Sequence, residues 1–152
     1  MVRRHSLAGL AALVGVVALL AGATRAEDKD KEKPAHEHDE HYSACAKACG
    51  ICAMQCSSCQ HHCAHLVRDG KKDHFRTMRL CQDCSLICGV STNVTSNHGP
   101  LSVTLCEACA KACDECGAAC EKFPDDKHMA GCAKSCRDCA QACREMIKHL
   151  SH

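Results

Sequence analysis

The sequence is poor in the large side chains from which protein interiors are normally built: 152 residues contain no Trp, one Tyr and two Phe. Aromatic residues dominate the area buried in most cores, so a conventional interior cannot be assembled from this set. Only three prolines break the chain, which leaves room for long helices. Formal charge is +1, and the basic residues are not interleaved with aromatics, which excludes the usual footprint of a nucleic-acid-binding surface. There is no Gly-rich phosphate loop, no Glu-x-x-His di-iron pattern and no nucleophile with a positioned base, so no enzyme is expected.

What fills the gap is sulfur. The chain has 18 cysteines. Six fall at Cys45, Cys49, Cys52, Cys56, Cys59 and Cys63, in alternating steps of four and three. Such steps return a side chain to one face of a helix, so they predict a sulfur stripe about five turns long where a bundle helix normally carries Leu or Ile. The spacing recurs at Cys81, Cys84 and Cys88, at Cys106, Cys109, Cys113, Cys116 and Cys120, and at Cys132, Cys136, Cys139 and Cys143.

Three regions are expected. Residues 1–26 read as an export signal, with Arg3 and Arg4, an apolar run over residues 7–23, and small residues for cleavage after Ala23 or Ala26. Val-Arg-Arg-His-Ser-Leu partly matches a twin-arginine signal, with Ser6 in place of the usual bulky residue. An uncleaved anchor is the alternative, the run being at the lower limit for a span. Cleavage after Ala26 would remove three arginines and give a net charge of about −2, exported to the periplasm or the extracellular space with no membrane attachment. Residues 27–41 read as a charged, disordered linker whose His36, His38 and His41 form a solvated tail, with weak divalent-metal binding as the alternative.

Residues 42–152 should form a single domain, an all-α, antiparallel up-down-up-down four-helix bundle with a cysteine-lined core. The expected helices run from about Ser43 to Val67, ahead of Gly70; from Asp73 to near Asn93; from Leu101 to Lys122, stopped by Pro124; and from an Asp125 or Asp126 cap to Leu150. Thr92 to Pro100 should be a loop. Antiparallel packing gathers His62, His65, His74, Met78, His128 and Met129 at one mouth, candidates for a metal-uptake relay or, alternatively, plain caps of the core. The opposite mouth receives Tyr42, Ser91, Ser102 and Met146, while His61, His98 and His149 read as solvent-facing.

The cysteines admit three readings. Disulfides are the usual choice for an exported cysteine-rich chain, giving a stapled structural or thiol-redox protein. Neighbours along a helix stand about 5–6 Å apart at Cβ, however, against about 3.8 Å in a disulfide, so only pairing across the bundle would be unstrained. Plain core packing is the second reading, but other small apolar residues would pack without the risk of oxidation. Metal ligation is the third. Two thiolates bridged by one metal at about 2.3 Å stand about 4.5 Å apart, which helical neighbours can meet, and low-coordinate sulfur sites suit the soft ion Cu(I). Zn(II) would want four thiolates at each site, which continuous stripes do not obviously offer.

The repeated Cys-x2-Cys-x3-Cys and Cys-x3-Cys-x2-Cys runs on four expected helices resemble the cysteine-rich four-helix-bundle copper storage proteins of bacteria, whose exported branch carries a twin-arginine signal. The resemblance covers about residues 42–150. It implies that many Cu(I) ions are stored on thiolates of all 18 cysteines, that ions pass a His/Met mouth, and that the chain forms a homotetramer. It also leaves room for a protein that donates or accepts copper.

Overall fold

The computed structural model describes residues 35–150, so the segment expected to be an export signal, and the first part of the expected linker, lie outside the described residues. The elements are α1 (Ala35–Arg68), a short 3-10 turn (Lys72–His74), α2 (Phe75–Ser96), α3 (Ser102–Cys120) and α4 (Lys127–Leu150), with no strand among the described residues. Helix α1 packs against α2 and α4, and α3 packs against the same two. The short connections reverse the chain each time, which gives the expected antiparallel four-helix bundle.

The helix ends follow from local chemistry. Gly70, at φ 91°, closes α1 in the left-handed conformation. Its amide donates to the Val67 carbonyl at 3.1 Å and that of Lys71 to Leu66 at 2.9 Å, the paired bonds of a Schellman motif. Asp126 caps α4: its Oδ1 accepts from the amides of His128 (2.9 Å) and Met129 (3.2 Å).

Two expected boundaries are corrected. Helix α1 begins at Ala35 rather than Ser43, so its first turns occupy part of the stretch assigned to the linker. The packed remainder of α1 has already met the cost of nucleation, so adding turns at its start costs little. Helix α2 continues to Ser96 rather than fading near Asn93. Its polar residues belong to the helix: Thr92 Oγ1 donates to Cys88 O at 2.8 Å, Asn97 Nδ2 donates to Asn93 O at 2.7 Å, and Ser91 and Thr95 are fully buried on the inner face.

The interior is small-bodied, as the composition requires. Its largest fully buried side chains are Met129, Met146 and Thr95. Cysteine and alanine supply nearly all the rest, which lets the helices approach closely. Gly117 marks one such approach, since a Cβ there would lie 3.3 Å from Cys136 Cβ across the α3–α4 contact.

Candidate metal centre

The four stripes face one another along the bundle axis. None of the 18 cysteines is more than 1% exposed, and all are free thiols. The inner face of the 3-10 turn and α2 reads His74, then Thr77, Cys81, Cys84, Cys88, Ser91 and Thr95, the same alternation of three and four extended past the sulfurs in both directions. Thr95 was missed by the sequence reading because its polarity suggested a loop. Its burial follows from the step of four beyond Ser91.

Sulfur contacts run mainly between helices. Cys45 lies 3.5 Å from Cys106, Cys49 lies 3.6 Å from both Cys139 and Cys143, Cys56 lies 3.6 Å from Cys136, and Cys88 lies 3.5 Å from Cys109. Cys52–Cys56 and Cys84–Cys88, both at 3.8 Å, also pair along one helix. These are thiol contacts, far longer than the roughly 2.05 Å of a disulfide bond. The stapled reading is therefore not what the geometry displays.

The expectation that stripes would not offer four sulfurs to one ion needs correction. Cys59, Cys81, Cys120 and Cys132, one from each helix, have all four sulfurs within 4.8 Å of one another. So do Cys49, Cys109, Cys139 and Cys143. The small side chain brings four helices near enough for sulfurs to converge. Yet the groups overlap: Cys52 and Cys84 belong both to the set with Cys56 and Cys136 and to the set with Cys88 and Cys113. Filling one as a closed site takes ligands from the next, so the sulfurs form a continuous column rather than separate cages.

No Lys, Arg, Asp or Glu is buried among the described residues, and His74 is the only buried imidazole. The column thus has no fixed countercharge. Neutral thiols are the stable metal-free state over most of its length. The two ends differ, however. At Cys63, hydrogen bonds from Cys59 and Cys81, reinforced by the nearby His62 and His74, outweigh burial and pull the thiol down to about 4. At Cys106, the bond to Cys143 favours the thiolate, but the bond to Cys45 and burial prevail and push it up to about 11.

The Cys63 end is the chemically dressed one. Met129 is fully buried, with Sδ 3.5 Å from Cys59 Sγ and 3.9 Å from Cys63 Sγ. His62 Nε2 bonds Asp126 Oδ2 at 2.7 Å and stacks on His128, whose Nε2 lies 3.1 Å from Ser58 Oγ. Burial alone would raise the Asp126 carboxyl, but hydrogen bonds from His62 and from the Met129 and His128 amides hold it below its ordinary value. His74 Nδ1 bonds Asp73 Oδ1 at 2.9 Å, and its ring stacks on Phe123 at a centroid distance of 4.0 Å. A hollow of about 570 Å³ walled by Leu66, His74, Phe123 and Asp126 opens beside them. Met78 packs half-buried against the core, and His65 turns instead to His61, Nε2 to Nε2 at 3.0 Å.

The other end is closed by Met146, Thr95, Ser91 and Ser102, all buried. Ser91 and Ser102 spend their hydroxyls on backbone carbonyls, those of Leu105 and Gly99. Tyr42 stacks on His98 at 4.2 Å and His41 on His149 at 3.5 Å, so His98 and His149 are engaged rather than simply solvated.

The sequence profile of the copper storage protein family matches residues 21–148 of this chain. A cysteine-rich protein of Bacillus subtilis, YhjQ, is 34% identical over 93 residues, which cover 60% of this chain and 83% of that one. Among solved structures, a cytosolic copper storage protein from Streptomyces lividans bearing five coppers superposes with a TM-score of 0.69 at 29% identity, covering 74% of this chain and 97% of its own. The Cu(I)-bound copper storage protein BsCsp3 gives a TM-score of 0.65 at 32% identity, covering 70% of this chain and 98% of its own.

Proposed function

The chain belongs to the copper storage protein family, and on that premise we propose that its sulfur column takes up and stores many Cu(I) ions, with all 18 cysteines as ligands. The observation that carries this reading is the column itself: buried, continuous, built of overlapping sulfur groups and without a buried countercharge. Roughly four Zn(II) ions with unshared tetrahedral thiolates would exhaust the sulfurs while leaving about eight negative charges in a dry core, each costing several kcal/mol. A monovalent ion shared between sulfurs neutralises one thiolate apiece and can fill the column to zero net charge. A trigonal site at bonds of about 2.3 Å needs sulfurs about 4.0 Å apart, only slightly wider than the present contacts.

Ions enter at the Cys63 end. Met129 and the acidic Cys63 supply the first soft donors, and His62, His74 and His128 line the approach, while the closed end offers hydroxyls already bonded to backbone. Transfer then proceeds by thiolate exchange down the column, each proton leaving as a Cu–S bond forms. Nothing in this sequence of events requires turnover of a substrate, and the protein is a store rather than an enzyme. Anomalous scattering at the copper edge from crystals of loaded protein tests the ligand set. Copper sites strung along the axis between the four stripes support it, and copper confined to surface histidines overturns it.

The remaining features rest on sequence. Residues 1–26 act as a cleaved export signal in this reading, placing the mature protein in the periplasm or outside the cell as part of an exported branch. The S. lividans relative is cytosolic, so location does not follow from kinship. No helix among the described residues is long and apolar enough to cross a membrane. N-terminal sequencing of protein from the periplasmic fraction would read cleavage after Ala23 or Ala26. A homotetramer is supported by the exposed apolar residues Ile51 and Met54 on α1 and Leu86 and Val90 on α2, and sedimentation analysis distinguishes it from a monomer. A copper donor or acceptor protein would dock at the uptake mouth.

A further inference from the structure

Outside the column, one pair of side chains has the geometry of a chelate. His61 and His65 sit one turn apart on α1, His61 exposed and His65 half-buried, and their Nε2 atoms are 3.0 Å apart. Two imidazole nitrogens bound to one ion at 2.0–2.1 Å stand about 2.9 Å apart at a right angle and about 3.3 Å apart at the tetrahedral angle. The observed spacing lies between these values without any rearrangement. The i,i+4 spacing fixes both rings to one face of a rigid helix, so little conformational freedom remains to be lost on binding. Beside His61 is an open hollow lined by Met54, Ser57, Ser58 and Ser85 among others, which leaves space for water in the remaining coordination positions.

We propose that His61 and His65 form a second metal site, for a borderline divalent cation, on the outer flank of α1. Imidazole pairs suit Cu(II), Ni(II) and Zn(II), with Cu(II) the tightest of the three, whereas the buried thiolates select soft Cu(I). The present contact requires one ring to donate through Nε2–H and the other to accept. Binding moves the donor's proton to its own Nδ1, so both nitrogens face the ion and no proton is lost from the pair. The site is independent of the thiolate store, and it gives the surface of the bundle an affinity for the oxidised ion that the interior does not share.

The test uses full-length protein with its thiols loaded with Cu(I) under argon, and Ni(II) as a redox-inert probe. Paramagnetic broadening of imidazole signals in 1H–15N correlation spectra locates the ion, and equilibrium dialysis gives its affinity. Broadening should appear first at His61 and His65. His61→Gln or His65→Gln should weaken binding there by at least about tenfold, because one donor of a chelate is lost. The double variant His61→Ala with Gln60→His keeps the number of histidines but breaks the register, and should bind no better than His61→Ala alone. Broadening centred on the histidines near the N-terminus or on His149, or unchanged affinity in His61→Gln, overturns the proposal. Cu(I) is counted in the same samples. A core that takes no copper contradicts the store, while broadening at His61 and His65 still reads this second site.

Discussion

Filling the column with Cu(I) should release close to one proton per ion, and this ratio follows from what the core lacks. Its 18 thiols are buried with no Lys or Arg among them. If every ion took two fresh thiolates, two protons would leave each time, and about nine ions would leave the interior with about nine uncompensated negative charges. Even after relaxation, burying such charges costs several kcal/mol apiece. Ions shared between sulfurs avoid that cost, so protons and ions should approach one another and reach about 18 of each at saturation. Proton release can be measured by anaerobic titration in weak buffer with a pH indicator, and checked by chelator competition at two pH values. Each proton displaced raises apparent affinity tenfold per pH unit. Two protons per ion sustained through the middle of the titration would refute the electrostatic argument.

Met129→Ala should destabilise the metal-free bundle by about 2–5 kcal/mol, since a fully buried side chain is lost, whereas Met129→Leu should cost under about 1.5 kcal/mol yet slow copper uptake by removing the thioether beside Cys59 and Cys63. Urea unfolding and stopped-flow loading separate the two effects. Asp126→Ala should cost about 1 kcal/mol through the α4 cap, with only tenths more from the partly exposed His62 pair. Because the folded carboxyl is held below its ordinary value, this contribution is present above the unfolded pKa and vanishes as pH falls through the folded one. Thermal melts of wild type and variant should therefore converge in acid. Gly117→Leu should lose about 1–3 kcal/mol to overpacking against Cys136, while Gly117→Ala should be nearly neutral because helix propensity offsets the tight contact. An unchanged urea midpoint for the leucine variant would contradict the close α3–α4 approach.

The alternation of three and four among the cysteines made the four helices and their inward faces legible, because helical period and side-chain chemistry coincide there. Gly70 and Asp126 were legible as helix punctuation for the same kind of local reason. What periodicity could not supply was the register between helices. The sulfur contacts therefore proved to be mainly across the bundle, as with Cys45 and Cys106, and to gather in overlapping fours. Local polarity misled at two places. Thr92 to Ser96 resemble a loop in composition but are held in α2 by bonds to its own carbonyls and by the burial of Thr95. His65 lies three residues beyond His62 at the same helix end, yet its ring turns to a different neighbour, so that His62 meets Asp126 while His65 meets His61.

The central claim is a store whose capacity is set by the column. The direct measurement is an anaerobic Cu(I) titration of the fully reduced protein against a high-affinity chromogenic chelator, with free thiols counted in parallel. The account expects well over about nine ions, approaching one per cysteine, while all thiols become unreactive. Saturation at one or two ions, or few free thiols in protein isolated without reductant, would contradict it.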